Sequence, residues 1–559
     1  MADDSPHFGT RVPGHRLIAL VGPFQSGTTT VLESLVARSG AISRQGNIRD
    51  GSTIGDSSAE ARAHAMSVEA NFAITDYLGD RYTFVDCPGS IEFSSEMHSV
   101  LPVCDAAVVV CEPDPRKIPA LQVILHKLEE LRVPRFLFLN KIDQSQTPVR
   151  DVLAMLQPAS QTPLLLRQIP IWEDNIATGF IDLALERAFV YREHAPSAVM
   201  DMPAHEVARE KEARFSMLER LADYDDELME DLLSDIEPPR DKIFDDLARE
   251  LREGLVVPML MGSAERGNGV TRLLKALRHE TPNIASTRDR LAISHDGPQL
   301  AYVMRTIHTA HGGKLSIARA LRGNITDGST AFSGNAEGRI AGISRMMGAT
   351  ASKQSELVEG DTAALGRLDH IKTGDLLVFE KNAKQIHSLA ASVVPEPVHA
   401  YALSIKDRKD EVKLAAAIGK LCDEDPSLSC IHDQTSGEIR LNGQGEMHLR
   451  VALERLAARF GIDVVARPTQ VAYRETIRNS VSIHGRHKKQ SGGHGQYGDV
   501  VMDIGPLERG QGFQFSEKVH GGTVPKQYFS SVEAGCEDAM ERGPLGFPVV
   551  DVAATLTDG

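Results

Sequence analysis

Five short apolar runs recur in the first half of the chain: "LIALV" (17–21), "YTFV" (82–85), "AAVVV" (106–110), "RFLFL" (135–139) and "PMLM" (258–261). None alternates apolar with polar, so each reads as a strand buried on both faces of a parallel sheet. After Gly27 the period changes. "TTTVLESLVAR" spaces Leu32, Leu35 and Val36 as on one face of a helix. An acidic helical stretch follows at 205–253, and residues 291–394 are β-patterned and punctuated by glycine, as in "GGKLSIARALRGNITDGST" (312–330). Further on, Leu414, Ile418 and Leu421 share one helical face, and Leu449, Leu453, Leu456 and Phe460 share another. The last apolar run, Val549 to Leu556, predicts a strand. The pattern as a whole predicts an α/β multidomain protein.

Composition narrows this picture only modestly. A chain of 559 residues with 42% hydrophobic residues predicts three to five domains with ample core. No apolar run reaches the ~18 residues of a membrane span, and the N-terminal residues carry no signal-peptide hydrophobic stretch. The six cysteines form no C-x-x-C pair, which points to a reducing cytoplasm and no structural zinc. The expectation is a cytoplasmic monomer with no membrane partner. A formal charge of −16 argues against a generally basic nucleic-acid coat but leaves room for a local basic contact.

Candidate chemistry lies at the ends of the apolar runs. "GPFQSGTTT" (22–30) follows the first strand and opens the helix. Gly22, Gly27 and Thr29 fall on the phosphate-loop pattern G-x-x-x-x-G-K-[ST], with Thr28 at the lysine position. Gln25, Ser26, Thr28, Thr29 and Thr30 would present backbone amides or hydroxyls to phosphate at the helix start. The second strand ends in Asp86-Cys87-Pro88-Gly89: this D-x-x-G places a carboxylate to hold a magnesium-bound water and a glycine amide near a γ-phosphate. The fourth runs into Asn140-Lys141-Ile142-Asp143. In N-K-x-D the aspartate accepts two N–H bonds from guanine, the lysine stem covers the base, and the asparagine ties loops together. Adenine presents the wrong edge to that aspartate. The fifth strand ends in Gly262-Ser263-Ala264, a backbone support for guanine O6. Taken singly, each motif is a common turn or polar loop. In this order, each at a strand end, they predict a domain binding GTP or GDP with Mg²⁺.

At this point the sequence resembles elongation factor G and its bacterial paralogues among translational GTPases, over nearly the whole chain. The resemblance implies a P-loop GTPase domain over 1–290 with an insert at about 150–255, including "IPIWEDNIATGFIDLALERAFVY" (169–191). It implies a β-barrel second domain at 291–394, an α+β, ferredoxin-like third domain at 395–476, and part of a fourth domain at 477–559, with the fifth domain absent. It further implies Thr29, Ser67 and Asp86 as magnesium ligands, directly or through water, and the ribosome as partner. "HGRHKKQSGGHGQY" (484–497) carries Arg486, Lys488, Lys489 and His494 with no acid. The residues alone fit a solvated Gly-rich hairpin as well as an RNA backbone contact; the resemblance favours RNA.

Four departures from the family pattern bear on activity. Thr28 replaces the lysine that bridges β- and γ-phosphate oxygens; a charge-assisted bond is worth ~1.5–3 kcal/mol, so triphosphate binding is expected to weaken roughly ten- to hundredfold. Ser90 follows the D-x-x-G glycine where the family has a histidine that positions the attacking water. In "EARAHAMSVEA" (60–70) Ser67 falls on the family's magnesium-binding threonine, with Ala65 at a glycine position and His64 at an arginine position. The chain stops inside the fourth-domain pattern, where unpaired edges and exposed apolar surface are expected. Two functions follow: a GTPase acting on the ribosome in translocation or recycling, with Gly89 and Ser90 at the catalytic positions, or a ribosome-binding protein deficient in hydrolysis. A metabolic P-loop kinase would need neither N-K-x-D nor the basic loop.

Overall fold

The computed structural model describes residues 14–145, 147–174, 176–309, 313–381, 394–405, 411–433, 437–471, 473–491 and 494–559, without the side chains of Glu411, Ser491 and His494. The chain divides into two units, Met1–His432 with Ile439–Pro468, and Asp433–Glu438 with Thr469–Gly559.

The first unit is organised around a sheet built from the predicted runs. They form β1 (His15–Val21), β3 (Asp80–Asp86), β4 (Ala106–Cys111), β5 (Arg135–Leu139) and the strand Val257–Met261, joined by β2 (Asn71–Tyr77) and β6 (Leu164–Leu166). The order is β2-β3-β1-β4-β5-(257–261)-β6. Only β2 runs antiparallel to its neighbour. Both faces are covered, which explains the unbroken apolar runs. Leu17, Ala19 and Val21 of β1 pack into one core, and Ile18 and Leu20 into the other. Helix α1 (Thr28–Arg38) covers the second core with Val31, Leu32, Leu35 and Val36.

The insert is a four-stranded antiparallel sheet, Gln168–Glu173, Ile176–Asp182, Arg187–Arg192 and Ala195–Met200. The predicted acidic helical stretch is three helices, Val207–Ala222, Asp226–Leu233 and Arg240–Glu253.

Residues 300–378 form a β-rich body with its own core of small and branched residues, among them Val303, Ile325, Ile343, Leu365 and Leu377. Its antiparallel pairings run as an open path among the described residues and join the first sheet at one pair, Met347 with Ala73. Arg319, fully buried, anchors this body by donating to Asp105 at 2.6 Å. Asp105 also accepts the Leu17 N–H at 2.8 Å and the Thr287 hydroxyl at 2.6 Å. Its carboxylate is therefore paired and hydrogen-bonded, as a buried charge must be.

The remainder of this unit runs strand His399–Ile405, helix Glu411–Glu424, strands Ser429–Asp433 and Glu438–Gly443, helix Glu446–Phe460 and strand Val464–Pro468. The sheet order places the first strand between the third and the fourth, the split βαβ arrangement of ferredoxin-like domains. Leu414, Ile418, Leu421, Leu449 and Leu456 meet in its core, as their spacing predicts, while Leu453 and Phe460 pack at its margin.

The second unit is a four-stranded sheet in the order Val481–Ser491, His494–Pro506, Val552–Asp558, Phe513–Glu517, with helix Phe529–Met540 connecting the parallel pair. Met502, Ala554 and Leu556 form its core. The edge strand leaves Val481 and Ile483 exposed.

Candidate functional site

All four motif loops emerge at the carboxyl ends of parallel strands, where ligands bind in open α/β sheets. Residues 22–27 lie between β1 and α1, Asp86 ends β3, and Asn140 follows β5. Gly262 follows the strand Val257–Met261. Two glycines are required by close approach. A Cβ at Gly22 would lie 2.3 Å from the Val110 carbonyl oxygen, and one at Gly89 would lie 2.8 Å from the Gly22 carbonyl oxygen. Gly27 caps the start of α1 at φ 99°, a left-handed conformation that favours glycine.

Asn140 joins the phosphate loop to the loop after the strand Val257–Met261. Its side-chain amide donates to the Ser26 carbonyl at 3.0 Å, and its oxygen accepts the Ala264 N–H at 3.0 Å. Lys141 extends across the phosphate loop and donates to the Gln25 carbonyl at 2.8 Å. It also pairs with Glu112 at 2.9 Å. Asp143 keeps Oδ1 buried without a partner, while Oδ2 pairs with Arg266 at 3.1 Å.

At the other end of the cleft, Thr29 donates to Asp86 at 2.7 Å and lies 2.9 Å from the Ser67 hydroxyl. Ser67 in turn donates to Asp56 at 3.2 Å. Asp86 is fully buried and its Oδ1 has no hydrogen-bond partner. Burial, and to a smaller degree the Asp56 carboxylate, push Asp86 up to about 7 against hydrogen bonds from Thr29, Thr28 and Ser67. Two hydroxyls and two carboxylates linked in one chain, with Asp86 Oδ1 left unpartnered, fit magnesium, a hard ion that takes oxygen ligands and keeps several waters.

The cleft between these ends has a volume of about 1560 Å³. Gln25, Gly27, Thr28, Thr29, Thr30, Ser67, Gly89, Lys141 and Asp143 line it. Gly22, Ser26, Asp86, Ser90, Asn140, Gly262, Ser263 and Ala264 are not among the lining residues. The segment 43–53 forms its outer wall, pinned to α1 through Glu33, which accepts the Gly46 N–H at 3.1 Å and the Ile54 N–H. Neither Asp56 nor Glu33 belongs to a motif; the contacts that tie them to the cleft reach Ser67, Gly46 and Ile54, 11 to 21 residues away in sequence.

The basic loop is a long antiparallel hairpin, Val481–Ser491 with His494–Pro506. Arg486 lies 3.6 Å from Asp499 and over the Tyr497 ring, so part of its charge is engaged within the hairpin. Lys488 and Lys489 are exposed. The side chain of His494 lies outside the described residues.

A parallel sheet carrying a phosphate-loop pattern, D-x-x-G and N-K-x-D at the carboxyl ends of its strands has the architecture of a GTP-binding domain of the P-loop class, here followed by further β-rich and α+β bodies. Residues 13–283 match the profile of the elongation factor Tu GTP-binding domain. Residues 394–468 match elongation factor G domain III, and 469–559 match elongation factor G domain IV. An elongation factor G-like protein of Synechocystis is 43% identical over 546 residues, covering 97% of this chain and 80% of the relative. A crystal structure of a protein from Thermus thermophilus superimposes with TM-score 0.83 at 30% identity, covering 97% of this chain and 80% of that one. The chain belongs to the elongation factor G family of GTP-binding translation factors. Among the described residues no helix is long and apolar enough to cross a membrane.

Proposed function

We propose that the chain binds GTP and GDP with Mg²⁺ at the cleft described above and acts on the ribosome. Guanine selection would be intact, phosphate grip reduced, and hydrolysis slow. The chain of contacts Asp86–Thr29–Ser67–Asp56, beside the buried Asp86 Oδ1 that has no hydrogen-bond partner, carries this reading. Thr29, Ser67 and Asp86 would hold the ion, directly or through water. When bound, Mg²⁺ supplies charge neutralisation at the β- and γ-phosphates.

This chain's own groups would do the rest. The amides of Gly27 to Thr30 at the α1 N-terminus face the phosphates, and Gly89 faces the γ-phosphate. Asp143 accepts from guanine, with Ser263 and Ala264 behind the base. Two features set a low turnover. Thr28 offers a hydroxyl where the family pattern has a cation, and Ser90 cannot carry the positive charge of a histidine. Thr28 and Ser90 together favour the alternative of a ribosome-bound, hydrolysis-deficient factor.

The same reading assigns 1–290 to the GTP-binding domain with its insert, and 291–394 to a barrel. It assigns 395–476 to the third domain and 477–559 to part of the fourth. Arg486, Lys488, Lys489 and His494 would meet ribosomal RNA.

Turnover of GTP by the natural chain and by Thr28→Lys, with and without ribosomes, separates the two readings. Ribosome-stimulated turnover by the natural chain establishes the GTPase. Tight guanine-nucleotide binding with no turnover establishes the deficient factor. Thr28→Lys is expected to bind triphosphate roughly ten- to hundredfold more tightly.

A further inference from the structure

Glu92 lies three residues beyond Gly89, and its carboxylate is seated in the first turn of helix Glu446–Phe460. Its Oε2 accepts the His448 N–H at 2.8 Å. The carboxylate rests on Gly445, where a Cβ would lie 2.3 Å from the Glu92 Cδ. Two causes favour this seat: first-turn amides have no partner within their own helix, and the helix dipole favours an anion there.

The seat is braced from behind. His448 accepts the Gln444 N–H at Nδ1 (3.0 Å), so Nε2 carries the hydrogen shared with Asp425 at 2.7 Å. Burial raises Asp425, but hydrogen bonds from His448 and Ser427 outweigh it and hold that carboxyl below its ordinary range. The His448 ring also meets Phe93 edge to face at 5.4 Å.

The same helix holds the other phosphate-facing segment. Val451 packs with Ala61, Val68 and Phe93 in one small buried cluster. Glu454 pairs with His64 at 2.9 Å. Arg455 donates to Glu69 at 2.8 Å, and the Glu69 carboxylate also takes Arg305 at 2.6 Å. Residues 448, 451 and 455 recur at i, i+3 and i+7, so they share one face. Ser67 thus sits between two residues held by this helix, His64 and Glu69, and Gly89 sits just ahead of a third, Glu92.

We infer that helix Glu446–Phe460 positions both phosphate-facing segments, and that Glu92 is the positioning residue tying Gly89 to it. The inference rests on the reading of Ser67 and Gly89 as γ-phosphate contacts. Because guanine is held by other loops, loosening the seat lowers affinity for triphosphate while leaving diphosphate binding and base choice in place.

The test uses the full chain, Mg²⁺, GDP and a non-hydrolysable GTP analogue. Gly445→Ala displaces the Glu92 carboxylate, and Glu92→Gln keeps its shape but removes the charge. Both are expected to lower the triphosphate-to-diphosphate affinity ratio about five- to tenfold, the size of one lost helix cap. The guanine-to-adenine ratio is expected to hold within twofold. If Gly445→Ala fails to fold, Glu92→Gln alone decides. An unchanged ratio in a variant that melts like the natural chain overturns the inference and leaves the site reading standing. Absence of nucleotide binding by the natural chain overturns both.

Discussion

Ala65 holds left-handed backbone, φ 49° and ψ 41°, at the C-terminal cap of helix α2 (Ala59–His64), two residues before Ser67. A side chain there is strained, and glycine is the residue that relieves it. Ala65→Gly is expected to steady the cap by about 0.5–1 kcal/mol. Hydrogen exchange of the helix amides checks it: slower exchange supports the strain, and unchanged exchange removes it. The position was readable as a departure from the family glycine, but the left-handed backbone was not. The motif residues were legible because each motif is contiguous and its chemistry admits few residue types. Glu92 was not, because its partner His448 is 356 residues away and nothing near either residue announces the contact.

Among the elements, helix Arg240–Glu253 carries an unresolved electrostatic cost. Glu250 is buried with neither oxygen hydrogen-bonded. Burial, then the Asp246 carboxylate, push it up to about 8, and Asp225 and Glu253 add to this. Arg249, 3.6 Å away, offsets only part. A carboxyl raised above its unfolded value contributes stability below about 4.5 and loses it as pH rises through about 8. Glu250→Gln is therefore expected to gain on the natural chain as pH rises over that window, by about 1–3 kcal/mol at the alkaline end after solvent screening. Melting curves at pH 5 and pH 9 measure this, and an equal offset at both refutes it.

Element boundaries were less legible than element type. The five parallel strands stand where the apolar runs put them. The last strand is Val552–Asp558, not 549–556, because Asp551 turns left-handed at φ 59° and caps a loop through the Gly510 and Gly512 amides. Pairing across the body at 300–378 was illegible for another reason: strand partners there are set by packing between distant segments.

For the whole molecule, the contrast is between an acidic chain, −16 in formal charge, and one basic hairpin. A backbone contact made through Lys488 and Lys489 releases counterions. Ribosome affinity is therefore expected to fall with salt, and each lysine-to-alanine change to reduce the salt slope by about 1. Association unaffected by salt, or by both changes together, contradicts the hairpin's assignment.

The central claim concerns the cleft, and the most direct measurement is competition among nucleotides for the natural chain and for Asp143→Asn. Aspartate accepts two guanine N–H groups; asparagine replaces an acceptor with a donor, which suits the additional carbonyl of xanthine. The account predicts that the natural chain prefers GTP and GDP over ATP by at least about a hundredfold. It predicts that Asp143→Asn loses guanine nucleotides and gains xanthosine triphosphate. Displacement by ATP as readily as by GTP, or guanine binding unaltered in Asp143→Asn, would contradict it.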